Sequence, residues 1–156
     1  TVQGPESVSV GAGATFSISL VNSGQAPCLV DVGSQALGVR VSSGSQQVWD
    51  SVTCPVGQTE KALLLPAGKG ADVTVTWNGN AATSDCAAAN AAPASPASPA
   101  GASASSTPSA TASSSASPSA GQAQTAPGST AGAGTYRFRF VMGDKDLTED
   151  RVFVVG

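Results

Sequence analysis

Histidine is absent from this 156-residue chain, and aromatic residues make up only 4% of it and charged residues 11%. Without histidine, the commonest general base and the commonest metal ligand are both missing. The net charge of −3 speaks against a nucleic-acid binder of the usual basic kind. Apolar runs such as Ala62–Leu65 have strand length and stay far short of the roughly 18 residues of a membrane helix. Membrane attachment is therefore expected only through an anchor or signal peptide ahead of Thr1. There is no Gly-x-Ser-x-Gly element and no glycine-rich loop ahead of a convincing helix, so a hydrolase elbow or a phosphate cradle is not expected. No enzyme, cofactor or metal is expected.

Charge and aromatics are also missing from one long stretch. Ala87–Gly134 is about 48 residues of Ala, Ser, Pro, Gly, Thr, a little Gln and one Asn. The remainder holds every aromatic and suffices for one ordinary domain. Such a tract has nothing large to bury and is expected to be disordered, as a sugar-bearing brush, a spacer or a neutral expansion. It carries no Asn-x-Ser/Thr sequon. Cys28, Cys54 and Cys86 lack the paired C-x-x-C spacing of structural zinc. They fit one bridge and one leftover thiol in an oxidising compartment, as in a secreted or envelope protein.

What is present reads as strands. In Thr15–Leu20, strict alternation sends Phe16, Ile18 and Leu20 to one face, ending at the turn signal Asn22-Ser23-Gly24. Asp72–Trp77 likewise aligns Val73, Val75 and Trp77, and Tyr136, Phe138, Phe140 and Met142 alternate after the tract. Shorter strands are read at Cys28–Val32, Leu37–Val41, Gln46–Asp50, Leu63–Leu65 and Arg151–Val155. Pro66-Ala67-Gly68 is a tight-turn sequence. The expected fold is an all-β antiparallel sandwich of about seven to nine strands. Its domain comprises 1–86 and 135–156, and 87–134 is an insertion before the last two strands. Lengthening a loop tenfold costs only about 2 kcal/mol, so one domain tolerates this.

The succession TFSISLVNSGQAPC, VDVGSQALGVRV, QQVWDSVTC, LLLPAGKGADVTVTWNG and GTYRFRFV resembles an immunoglobulin-like family. Its best-named members are the intracellular proteinase inhibitors (BsuPI-like). With cysteines in APC, VTC and SDC, the chain looks more like exported or membrane-anchored proteins of high-GC Gram-positive bacteria. The strand order that the resemblance implies places Cys54 and Cys86 after strands finishing at the same end, and Cys28 at the other. A Cys54–Cys86 bridge is therefore expected, with Cys28–Cys54 as its rival. A loop of that size stabilises by about 3–4 kcal/mol in the chain-entropy model. Cys28 is then a free thiol, expected to be a buried small hydrophobe.

Other residues divide between packing and binding. Trp77 is expected in the core. Trp49 shares its phase with Gln47 rather than an apolar neighbour, so it serves either the core or a ligand. Arg137 and Arg139 lie about 7 Å apart on an outward strand face, for cross-strand carboxylates or a small anionic ligand. Asp144, Asp146, Glu149 and Asp150 form an acidic hairpin without the EF-hand pattern, and a solvated turn is expected.

These readings lead to a monomeric, non-catalytic extracytoplasmic module that binds a protein or cell-wall partner through loops or an exposed sheet edge, and no nucleic acid. The alternative is a proteinase inhibitor, as the resemblance implies, with Ser51–Glu60 or Asn22–Pro27 as its loop. A third reading is a structural stalk in which the tract matters more than the domain.

Overall fold

The computed structural model describes residues 1–82, 86–87 and 129–156. Alternating sequence becomes strand along most of that length: β1 (Val2–Gln3), β2 (Ser7–Val8), β3 (Ala14–Val21), β4 (Cys28–Asp31), β5 (Leu37–Ser43) and β6 (Gln46–Asp50). They are followed by β7 (Ala62–Leu65), β8 (Gly70–Trp77), β9 (Gly134–Met142), β10 (Lys145–Asp146) and β11 (Arg151–Val155). Eight have four residues or more, within the seven to nine expected, and β1, β2 and β10 are two-residue pairings.

The strands form an all-β, immunoglobulin-like sandwich. One sheet has the order β1-β3-β8, and the other β2-β11-β9-β5-β6 with β10 also on β9. β4 and β7 form a separate ribbon. Pairing is antiparallel except for β2, which runs parallel to β11 with Ser7 opposite Val154. Near the start of β9, the Tyr136 hydroxyl donates to Gly132 O at 2.7 Å. This backward bond to the chain just upstream is the tyrosine corner of such sandwiches.

Residues from both sides of the low-complexity tract share one core. Phe16 stacks near Phe138 with ring centroids 4.4 Å apart. Phe153, a residue that alternation alone did not single out, touches the rings of Phe16, Trp77, Tyr136 and Phe138. Each large side chain buried this way contributes about 1.5–3 kcal/mol. An exposed ion pair contributes about 0–1. The aromatic centre therefore holds the sheets together. Ile18 and Phe140 are buried with it, whereas Leu20, Val73 and Val75 are only partly buried at its margin.

The insertion ends earlier than its composition suggests. Ser129–Gly134 belong to the fold, because Ala131 is buried and the chain there pairs with the end of the β8 segment. Ala81 N–H donates to Ser129 O and Ala131 N–H to Gly79 O, both at 2.8 Å. The rest of the expected disordered stretch, 88–128, lies outside the described residues.

The turn at Pro66–Lys69 does not close a hairpin. Gly68 takes a φ of 69° and Lys69 N–H donates to Pro66 O, a type II turn in which glycine supplies the positive φ. Yet β7 pairs with β4, not with β8. The β3/β8 ladder, from Ala14↔Trp77 to Val21↔Gly70, passes through a corner into the β4/β7 ladder, from Cys28↔Leu65 to Asp31↔Ala62. Past that ladder, the Asp31 carboxylate accepts the N–H groups of Lys61 and Gly33. Those two bonds, Lys61 first, hold its pKa below the ordinary value.

Asn22 holds the corner. Its backbone donates to Lys69 O and accepts from Gly68 N–H, each at 2.9 Å. Its buried side chain donates to Ala26 O and Leu65 O and accepts from Gly24 N–H, at 2.8–2.9 Å. Substituting Asn22→Ala leaves Ala26 O, Leu65 O and Gly24 N–H each one partner short. We expect a loss of about 2–3 kcal/mol, measured by urea unfolding of the oxidised chain. A change within a few tenths would show that the corner does not depend on this side chain.

Candidate functional site

A groove of about 610 Å³ runs along β8, a volume in the range of ligand pockets. Residues Asp72 through Asn78 line one side of it. The facing side combines Val32, Ser34 and Leu37 from the crossing into β5 with Trp49 and Ser51 at the end of β6. Val56, Gln58 and Lys61 complete it from the following loop.

β8 presents an open edge to this groove, since β3 is its only strand partner among the described residues. The phase of the ladder follows from the bonds at its two ends. Ser19 exchanges bonds with Thr1, so the odd-numbered groups at that end of β3 serve β1. Asn22 N–H bonds Lys69 O, so pairs two apart along the register (20↔71, 18↔73, 16↔75 and 14↔77) carry the β3–β8 bonds. The backbone N–H and C=O groups of Asp72, Thr74 and Thr76 therefore face away from β3. The partial burial of Val73 and Val75 has the same origin, because a strand without an outer neighbour leaves its apolar face half covered.

The loop Ser51–Glu60, named above as a candidate inhibitory loop, is tied down at several points. Asp50 Oδ1 accepts Val52 N–H at 2.9 Å, and Ser51 Oγ accepts Val39 N–H at 2.7 Å. Ser34 donates from both its N–H and its hydroxyl to Gln58 O. Gly33 lies so close to Thr59 that a Cβ there would fall 2.3 Å from Thr59 O, so only glycine fits. The Cys54–Cys86 disulfide joins the loop to the segment after β8, with Cα atoms 4.9 Å apart. Trp49↔Ala82, a parallel bridge, shows why the two cysteines meet: the ends of β6 and of the β8 segment run side by side in one direction. The rival Cys28–Cys54 pairing is not formed.

Trp49 is not a surface aromatic. It is 2% exposed and packs 6.4 Å from Trp77, centroid to centroid. The reason is a β-bulge: Val41 faces Trp49 while Ser42 faces Gln47, so Val48 is an extra residue that resets the phase. Trp49 also lines the groove, and its buried indole Nε1 has no hydrogen-bond partner among the described residues.

The two arginines separate. Arg139 is engaged by Asp146 at 2.8 Å and Asp150 at 3.1 Å. Arg40, directly across from it on β5, is bound by the buried Asp50 at 3.0 Å. Two acids of the last hairpin are thus committed to neutralising a pair of facing arginines. Arg137 is exposed and has no ion pair among the described residues, so the anionic-ligand patch is reduced to a single side chain.

Cys28 is exposed rather than buried. It opens β4 beside the Asn22 corner, outside the core, and of that strand only Val30 packs against the core. One thiol per native chain should therefore react with a chromogenic thiol reagent, and Cys28→Ser should abolish the reaction. A native chain that reacts only after denaturation would contradict this placement.

No protein-family model matches the chain, and no curated protein matches it. Among solved structures, a β-glucosidase from Erythrobacter marinus aligns at 10% identity and a TM-score of 0.48, covering 99% of this chain and 15% of that one. A mutant β-glucosidase from Listeria innocua, in complex with laminaribiose, aligns at 11% identity and a TM-score of 0.48, covering 100% of this chain and 15% of that one. The chain thus spans about 15% of the length of each. Likeness at this level bears on neither substrate nor activity.

Proposed function

We propose that the chain is a non-catalytic binding module of a secreted or envelope protein, acting outside the cytoplasm on a protein or cell-wall partner. The groove beside β8 carries this reading, because it joins a strand edge left open among the described residues to an apolar lining. Its chemistry suits binding rather than catalysis. Lys61 and Asp72 are its charged groups, and the Ser34 and Ser51 hydroxyls are engaged by backbone groups rather than by Lys61. A serine without a base is a poor nucleophile. The disulfide fits an oxidising environment.

A second reading, proteinase inhibition through Ser51–Glu60, is favoured by the tethering of that loop at Cys54, Ser51 and Gln58. A rigid loop loses little entropy when it enters a protease cleft. Titrating the oxidised chain against subtilisin-like and trypsin-like serine proteases separates the two. The module reading predicts full residual protease activity at micromolar chain. Stoichiometric loss of activity with the chain surviving intact would replace it with the inhibitor reading.

A further inference from the structure

We infer that the groove takes up an extended peptide segment of another protein, which pairs with β8 as an added strand. This inference rests on the binding-module reading and gives it a site and a partner class. Three observations converge on it. The outward N–H and C=O groups of Asp72, Thr74 and Thr76 repeat every second residue, and only another extended backbone complements such a row. Val73 and Val75, half buried, face the same groove as Leu37 and Trp77, so small apolar side chains at alternate positions of the segment find cover there. Trp49, which lines the groove, holds a buried indole N–H without an acceptor among the described residues; an unpaired buried donor is costly, so a shift of the ring that let a ligand carbonyl reach it would be favoured.

The geometry also selects the occupant. Val56, Gln58 and Lys61 of the neighbouring loop line the groove beside this edge, so the edge strand of a second folded copy would have to enter between that loop and β8. A single peptide strand carries no folded body into that space. Asp72–Thr76 accommodates a paired stretch of about five residues at ~3.4 Å per residue. With one acid and one base lining the groove, the paired stretch should be uncharged. It should also lack proline, which cannot donate to the ladder.

The test uses the full oxidised chain and a displayed library of random nine-residue peptides. Peptides selected on the wild-type chain should alternate small apolar residues. Methylating the backbone nitrogens that pair with β8 should weaken binding of a synthetic selected peptide at least tenfold, and methylating the intervening nitrogens should not. Thr74→Pro removes one outward N–H while sparing the bonds to β3, and Trp49→Phe removes the indole donor. Thr74→Pro should abolish binding and Trp49→Phe should weaken it about five- to tenfold. The N-methyl series needs no variant and decides the matter if either fails to fold.

Failure to select any peptide would overturn the proposal. So would selected peptides whose binding ignores the methyl scan and both substitutions, although that result would leave a binding module standing. Dimerisation of the free chain that Thr74→Pro abolishes would assign the edge to a second copy and overturn the proposal too. Stoichiometric protease inhibition is the separate result that removes the module reading itself.

Discussion

The corner at Asn22 decides which edge of this sandwich is left open. A four-residue turn between β7 and β8 would ordinarily close a hairpin and give β8 a second neighbour. Here the ladder that begins as β3 with β8 changes direction at Asn22 and continues as β4 with β7. Asn22 makes this feasible by bonding five backbone groups around the bend, leaving none of its own polar atoms idle. With β7 drawn to β4, β8 has no outer strand partner among the described residues, and the groove occupies the space beside it.

The features around the groove serve that arrangement from the other side. The disulfide and the Asp50 carboxylate fix the start of the 51–60 loop, and Ser34 with Gly33 fixes its end. Asp50 does this while also binding Arg40, so the loop is coupled to the charged face of the larger sheet. An open strand edge invites promiscuous pairing, and natural sheets usually protect such edges. Here the anchored 51–60 loop lines the groove beside the open edge of β8, and in the proposal above it favours a segment thin enough to enter between them.

Much of the fold was legible in the sequence because strict alternation is a direct record of a two-sided environment. Phe16 and Ile18, Trp77, and Tyr136 with Phe138 and Phe140 lie where that pattern put them, and the Cys54–Cys86 bridge formed as the family-like strand order implied. Trp49 could not be placed because one inserted residue, Val48, reverses the phase without leaving a glycine or proline to mark it. Cys28 looked apolar and strand-bound, but periodicity does not record whether a strand lies over the core or beyond it. The groove itself was illegible for a related reason. Which strand lies beside which depends on tertiary pairing, and the Thr-Val repeat of β8 reads alike in an edge strand and a central one.

Residue-resolved amide hydrogen exchange along β8 in the free chain tests this account most directly. The open edge predicts alternation, with slow exchange at Ala71, Val73 and Val75, which bond β3, and fast exchange at Asp72, Thr74 and Thr76. Uniformly slow exchange through the strand would mean that its outer edge is already covered, and would contradict both the groove and the role given to the Asn22 corner.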